Sequence, residues 1–302
     1  MVDVFVCSKP LQYLNLKNIP LEYSSQRKKM LIIVNAFYGS HSFYKYVKET
    51  DKTWYRVVFA SSDSRALVYI MFLNISRLFI NYDISIQLAI LYKIKNMEIY
   101  TYEEGVGSYY SVKKWNSGAL ACVRKLLGVG QVNNSSHYLT ACFLYRPDIF
   151  YKIRPESTLI VKRMCNPFLK SLENNMEFWF RYYDFKKSGL SDIRNKKILI
   201  YITSWEISEK ILFEIRKREK EFDKIIIKPH PHIKEIEYTL SKAYTVLRTP
   251  IMVEMILLYL RNNNNSICVF HESSTSMVYF EKEIESVNFN IHDSYNEFVS
   301  YI

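Results

Sequence analysis

Three short polar stretches each follow a run of apolar residues and carry side chains that could do chemistry. Glu103-Glu104-Gly105 follows EIYTY, His230-Pro231 follows IIIKP, and Ser273-Ser274-Thr275 follows SICVFHE. A carboxylate can accept a proton from a hydroxyl, a histidine can donate one, and hydroxyls with free backbone N–H groups can bind a phosphate. The order along the chain is carboxylates first, then histidine, then hydroxyls.

The acidic stretch offers one carboxylate to a ligand at most. Adjacent side chains on an extended segment point in opposite directions, so Glu103 and Glu104 cannot both face the same site. Gly105 permits a close backbone approach or a positive φ. A carboxylate at such a strand end could act as a general base, and the alternative is a solvated acidic turn.

The histidine stretch is stiff. Pro231 restricts the backbone of His230 to extended conformations and suits the first turn of a helix. His230 could therefore donate a hydrogen bond or a proton to a phosphate oxygen. A structural histidine at a strand end is the alternative, and His232 is expected to be a surface or structural residue.

The hydroxyl stretch precedes a helical pattern, and hydroxyls at that position are ordinary helix caps. Four of them in a row, residues 273–276, exceed what one cap needs. Backbone N–H groups and hydroxyls at a helix start also bind phosphate. The stretch therefore favours anion binding, with capping as the alternative.

The sequence predicts that the elements that position these stretches form two α/β domains. Short apolar runs alternate with helical patterns, which predicts parallel sheets built from βαβ units. The polar segment 183–197 contains Gly189 and predicts a boundary, so residues 1–188 and 189–302 are expected to form two doubly wound Rossmann-like domains facing a cleft. The apolar region 66–94 is broken by Arg77 and Asp83, and we interpret it as two core helices.

Composition narrows the class further. The 302 residues carry a formal net charge of +11, which suits an anionic partner or simply keeps the protein soluble. The five cysteines are scattered without a CxxC pair, as expected for reduced cytosolic thiols. No signal peptide and no apolar run of roughly 20 residues is present, so a cytoplasmic protein is expected. The sequence also lacks Asp-x-Asp, HExxH and complete phosphate-binding glycine motifs, and we predict no metal site.

Taken together, the three stretches resemble the bacterial sialyltransferases of GT-B type, which include the lipooligosaccharide sialyltransferases and the capsular polysialyltransferases. That group shares an acidic-acidic-Gly triplet, a His-Pro pair and a Ser/Thr pair, in this order. The opening VFVCSKPLQYLNLKNI is also similar to its first strand and helix. This chain departs from the group in having Glu-Glu where Asp-Asp or Glu-Asp is commoner, and in its long hydroxyl run.

The resemblance implies an inverting, metal-independent transfer of sialic acid from CMP-sialic acid, with no other cofactor. In this interpretation Glu103 is the general base, Glu104 is structural or points into the sheet, and His230 assists the leaving CMP. Gly105, Pro231 and the residues Ser273, Ser274 and Thr275 would complete the substrate site. Residues 1–188 would hold the acceptor, and residues 189–302 the nucleotide.

The implied partners are a CMP-activated donor and a lipid-linked glycan acceptor of surface polysaccharide synthesis, such as capsule, O-antigen or lipooligosaccharide. No nucleic acid is expected, and the positive charge allows peripheral contact with the anionic inner membrane. Two alternatives stay open. One is a polyol-phosphate or Kdo transferase of GT-B type, because such enzymes carry similar strand ends. The other is a non-catalytic nucleic-acid or membrane-surface binder.

Overall fold

The computed structural model describes residues 1–23, 27–110, 119–230, 233, 238–248, 251–280, 283–290 and 293–302. These residues form two compact units. The N-terminal unit contains Met1–Ser171 together with Glu297–Ile302, and the C-terminal unit contains Leu172–Asn296.

The N-terminal unit is built on a parallel sheet of seven strands, in the order β3-β2-β1-β4-β5-β6-β7. The strands are β1 (Val2–Cys7), β2 (Lys28–Val34), β3 (Arg56–Ala60), β4 (Ile75–Ile80), β5 (Glu98–Tyr102), β6 (Ala141–Leu144) and β7 (Val161–Arg163). The central strands are apolar on both faces because helices cover both faces of the sheet. The strand order reverses between β1 and β4, and ligands commonly bind at such a point in doubly wound sheets.

The helices of this unit follow the strands in alternation. They are α1 (Pro10–Lys17), α2 (Ser40–Thr50), α3 (Asp63–Met71), α4 (Ile86–Lys95), α5 (Ala119–Leu126) and α6 (Pro147–Ile153), with α7 (Phe168–Asn174) crossing into the second unit. Ser62 and Ser85 cap α3 and α4, since their side chains accept the backbone N–H groups of Arg65 and Leu88. These two caps fix where both helices begin at the carboxyl edge of the sheet.

The C-terminal unit repeats the same plan on a smaller scale. Its parallel sheet has the order β10-β9-β8-β11-β12, so the reversal lies between β8 and β11. The strands are β8 (Lys197–Ile202), β9 (Lys224–Lys228), β10 (Thr245–Val246), β11 (Ser266–His271) and β12 (Glu285–Asn288). The helices are α8 (Met176–Tyr183), α9 (Glu209–Arg218), α10 (Tyr238–Ala243), α11 (Val253–Asn262), α12 (Thr275–Val278) and α13 (Asp293–Val299), whose end joins the N-terminal unit.

The prediction of two α/β units with parallel sheets is confirmed, but one element of it is wrong. Region 66–94 is not two helices, because β4 lies between α3 and α4. Arg77 interrupts the apolar pattern of this strand and therefore disguises it. In the folded chain Arg77 pairs with fully buried Asp3 on neighbouring β1, so the charge is neutralised within the sheet.

The compact units divide between Ser171 and Leu172, earlier than the boundary predicted within 183–197. The last residues return to the N-terminal unit, where the Phe298 ring lies edge-on to that of Tyr109 at 4.6 Å between centroids. Within the described part of the chain, no helix is both long enough and apolar enough to cross a membrane.

Candidate functional sites of the two units

Glu104 lies at the carboxyl edge of the N-terminal sheet, beside the reversal point. Its Oε1 accepts hydrogen bonds from Lys9 Nζ at 2.8 Å and from Gln12 Nε2 at 2.9 Å. Its Oε2 accepts one from Asn81 Nδ2 at 3.0 Å. The side chain is 25% exposed, so the carboxylate is held firmly and still reaches solvent.

Glu103 has the opposite environment, being 2% exposed. Its Oε2 accepts the Tyr109 hydroxyl at 2.5 Å and the backbone N–H of Tyr145 at 2.8 Å. Its carbonyl oxygen accepts Asn15 Nδ2 at 2.7 Å. Burial, together with the neighbouring charge of Glu103, raises the pKa of the Tyr109 phenol well above its ordinary value. These contacts tie the end of β5 to the loop after β6 and to α1.

The environments that were expected for the two carboxylates are therefore exchanged. Glu103 points into the protein, and Glu104 faces the edge where ligands bind in this type of sheet. The alternation of side chains across the strand allowed either assignment, and the buried donors from Tyr109 and Tyr145 select Glu103 as the inward one. The catalytic role of either residue stays a prediction.

Gly105 has the positive φ that the sequence analysis allowed for, with φ +90° and ψ −159°. This conformation turns the chain into a short 3-10 helix, Val106–Ser108. Ser108 then accepts the backbone N–H of Glu104 on its Oγ at 2.8 Å. The turn thus fixes the backbone that carries the Glu104 carboxylate.

A third carboxylate and an unused acceptor lie beside Glu104. Asp63 opens α3, and burial followed by the charge of Glu104 raises the pKa of its carboxyl. Asn81 is buried after β4, and its Oδ1 has no hydrogen-bond partner among the described residues. Neither residue was predicted from the sequence. Asn81 could not be placed at a strand end because the segment that forms β4 was interpreted as helix.

In the C-terminal unit, His230 follows β9 at the carboxyl edge of the smaller sheet. Its backbone N–H donates to Thr203 Oγ1 at 2.8 Å, and the N–H of Thr203 donates to the carbonyl of Lys228 at 3.2 Å. These bonds join the ends of β8 and β9. Pro231 and His232 lie outside the described residues.

The His230 ring packs against the indole of Trp205 with 4.9 Å between centroids and a tilt of 34°. Trp205 follows β8 and is 71% exposed, which is unusual for the largest apolar side chain. An exposed aromatic ring beside a histidine offers a surface for a base or a sugar ring. The sequence analysis did not single out Trp205, although its place just after a strand was available as a signal.

The three hydroxyl residues after β11 differ in their contacts. Ser273 has a positive φ of +50°, and its Oγ donates to the carbonyl of Asn290 at 2.5 Å. Ser274 caps α12 without a side-chain hydrogen bond. The Thr275 hydroxyl likewise has no hydrogen-bond partner in the described ranges. The hydroxyls available for a ligand are therefore those of Ser274 and Thr275.

The helix start expected behind these hydroxyls is weaker than the sequence suggested. α12 spans only Thr275–Val278, about one turn, so few aligned peptide dipoles stand behind the loop. The loop is instead held by His271, whose Nδ1 accepts the backbone N–H of Ser274 at 3.1 Å. Burial lowers the pKa of His271 to about 4 and keeps its ring neutral at physiological pH.

Two buried ionisable side chains, Glu254 and Lys228, lie close enough for their charges to interact, and Glu254 contacts the same loop. Glu254 of α11 accepts the Ser276 hydroxyl at 2.7 Å. Burial lowers the pKa of Lys228 to about 8 against the opposing charge of Glu254, and burial raises the pKa of Glu254. In the residues that the structure describes, no cluster of His, Cys, Asp and Glu side chains could hold a metal ion.

No protein-family model and no curated protein sequence matches this chain. Several solved structures, in contrast, are similar to this chain. The wall teichoic acid polymerase TagF is similar with a TM-score of 0.56 at 13% identity, covering 95% of this chain and 70% of that one. UDP-N-acetylglucosamine 2-epimerase from Rickettsia bellii is similar with a TM-score of 0.59 at 13% identity, covering 96% and 78%.

The UDP-GlcNAc 2-epimerase from Neisseria meningitidis, solved with UDP-GlcNAc bound, is similar with a TM-score of 0.58 at 10% identity, covering 99% of this chain and 85% of that one. At these identities the likeness shows the fold alone. The chain has the α/β fold of the GT-B class, with two Rossmann-like units on parallel sheets.

Proposed function

We propose that the protein is an inverting, metal-independent glycosyltransferase that moves sialic acid from CMP-sialic acid to a glycan hydroxyl in bacterial surface polysaccharide synthesis. The observation that carries the proposal is that one unit has a candidate base at its strand ends and the other unit has candidate phosphate-binding groups at its strand ends. The N-terminal unit offers a held carboxylate, Glu104, and the C-terminal unit offers His230 with the hydroxyls of Ser274 and Thr275, which have no hydrogen-bond partner among the described residues. The fold shared with TagF and the epimerases supports an enzyme that handles a nucleotide-activated sugar or polyol.

The acceptor side follows from the hydrogen bonds of Glu104. Among the described residues its Oε2 accepts one hydrogen bond, from Asn81, and a carboxylate oxygen has room for about two. That remaining position can accept the proton of an acceptor hydroxyl. Lys9 and Gln12 hold the other oxygen and fix the orientation of the carboxylate. Glu104, and not Glu103, is therefore the proposed base.

The donor side must stabilise the charge that leaves with CMP. The acceptor oxygen forms a bond to the anomeric carbon, the bond from that carbon to the phosphate oxygen breaks, and the electron pair leaves on the phosphate. The proton of the attacking hydroxyl goes to Glu104. His230 and the hydroxyls of Ser274 and Thr275 would donate to the phosphate oxygens, while Trp205 would contact the base or the sugar.

A polyol-phosphate transfer is the second candidate, and the likeness to TagF over 95% of this chain favours it. Such a reaction would use the same phosphate-facing residues but would move a phosphate with its polyol. A panel of donors separates the candidates. Purified protein is incubated with CMP-sialic acid, CMP-Kdo or CDP-glycerol, and nucleotide release is measured with and without a glycan acceptor.

Of the three donors, we expect only CMP-sialic acid to release CMP. Release from CDP-glycerol and from neither other donor would assign the second function. The site is tested by binding of CMP to serine variants. Ser274→Ala should weaken CMP binding by about 1–3 kcal/mol because a phosphate contact is lost. Ser273→Ala is the matched control, since its hydroxyl is already used by Asn290. Equal effects of the two substitutions would count against this assignment.

A further inference from the structure

An apolar groove lies on the surface of the N-terminal unit between α3 and α4. Each helix contributes a stripe at spacing i, i+3, i+4 and i+7, namely positions 64, 67, 68 and 71 of α3 and positions 87, 90, 91 and 94 of α4. Leu67 and Leu91 form its floor at 5% and 4% exposure. One end is closed by the Ser64 hydroxyl, which donates to Gln87 Oε1 at 3.1 Å.

The rim of this groove is apolar, although its side chains are exposed and do not fill the hydrophobic core. Val68, Ile90 and Ile94 are 53%, 44% and 61% exposed, and Phe72, in the turn after α3, is 78% exposed. The groove holds about 180 Å³. Pockets for small molecules are typically about 300–1,000 Å³, so a shallow docking surface fits better than a ligand pocket.

Positive charge borders the same end of the groove as Phe72 and Ile94. Lys93 is exposed in the last turn of α4, and Lys95 Nζ donates to the carbonyl of Leu73 at 3.2 Å, joining α4 to the turn after α3. The one acidic residue within the two helices, Asp63, lies at the opposite end. The whole chain carries a net charge of +11. Apolar side chains flanked by lysines are the features of a surface that binds anionic lipid.

We propose that this α3–α4 groove docks the protein on an anionic bilayer. Phe72 and Ile94 enter the headgroup region, and Lys93 lies against lipid phosphates. α3 begins at Asp63, whose carboxyl interacts with Glu104, so the groove extends away from the edge that holds the candidate base. A docked protein would therefore hold that edge within one helix length, about 14 Å, of the bilayer. The inference concerns membrane binding and does not rest on the identity of the donor.

Sedimentation with vesicles tests the inference. Full-length protein is mixed with vesicles of phosphatidylethanolamine and phosphatidylglycerol or with vesicles of phosphatidylcholine alone. We expect clear binding to the anionic vesicles and weak binding to the neutral ones. Phe72→Ser and Ile94→Ser should each weaken binding at least about tenfold, because a whole apolar side chain leaves the interface. Lys93→Gln should weaken it about fivefold.

Two matched controls make the test specific. Tyr38→Ser removes a similarly exposed aromatic ring, 81% exposed, from the turn before α2, and Lys45→Gln removes an exposed lysine from α2. Both should bind like the unchanged protein, and circular dichroism confirms folding of every variant. Equal binding to neutral and anionic vesicles, or equal losses in the controls, would overturn the proposal. A dimer that Phe72→Ser dissociates, without any vesicle binding, would assign the groove to a second copy and would also overturn it.

Discussion

Replacing Glu103 and Glu104 one at a time by glutamine should separate a folding role from a chemical one. The two substitutions make the same chemical change on adjacent residues, so each is a control for the other. The structure predicts opposite outcomes. Glu103→Gln should lower stability, and Glu104→Gln should lower turnover.

The magnitude for Glu103 follows from its two buried donors, the Tyr109 hydroxyl and the Tyr145 backbone N–H. A hydrogen bond to a charged group contributes about 1.5–3 kcal/mol, and one between neutral groups about 0.5–1.5 kcal/mol. Two such bonds would lose about 2 kcal/mol when the carboxylate becomes an amide. In a unit of this size that corresponds to a fall in Tm of about 4–8 °C.

The magnitude for Glu104 is small in stability and large in rate. Its contact with Lys9 is open to solvent on the lysine side and contributes about 0–1 kcal/mol. A new amide could donate to Asn81 Oδ1, which has no partner among the described residues, after rotation of the Asn81 amide. The loss of a positioned base should lower turnover about 10²–10⁴-fold.

Thermal unfolding and nucleotide release at saturating donor measure both quantities on the same preparations. A Glu103→Gln variant that is stable but inactive, together with a Glu104→Gln variant that retains turnover, would refute both assignments. That result would return the base to Glu103, as the family resemblance implied. Full activity in both variants would mean that residues 103–105 form only a turn.

Three further predictions concern the C-terminal unit and the medium. His230→Ala should lower turnover and should also weaken CMP binding, which isothermal calorimetry measures. An effect on turnover without an effect on binding would show that His230 does not contact the phosphate. The pKa of His271 is about 4 in the folded state and about 6.5 when unfolded, so unfolding takes up a proton and stability falls as pH decreases through that window. Between pH 7 and pH 5 the loss should be about 2 kcal/mol in urea unfolding, and His271→Asn, which keeps an acceptor for Ser274, should abolish that part of the slope. Transfer should persist in EDTA, and dependence on added Mg²⁺ or Mn²⁺ would show that metal-free stabilisation of the leaving phosphate is wrong.

Much of the fold could be predicted from local pattern. The apolar runs that became β1, β2 and β8 are buried on both faces, and a parallel sheet follows from that burial and the alternating helices. The placement of all three polar stretches directly after strands was also predictable, because parallel strands present their carboxyl ends to one edge. Strand β4 was not predictable in this way, since Arg77 interrupts its pattern and its partner Asp3 is 74 residues away.

What the sequence by itself determined was the class of fold and the residue types at the strand ends. Only the tertiary structure decided which carboxylate reaches solvent at the strand end, and which hydroxyls have no hydrogen-bond partner among the described residues. Glu103 and Glu104 are chemically identical, and two donors select the buried one: the Tyr109 hydroxyl, six residues along the chain, and the Tyr145 backbone N–H, 42 residues along. In the same way the carbonyl of Asn290 takes the Ser273 hydroxyl. The physical reason is that buried polar atoms must find partners, and the partners come from other elements of the fold.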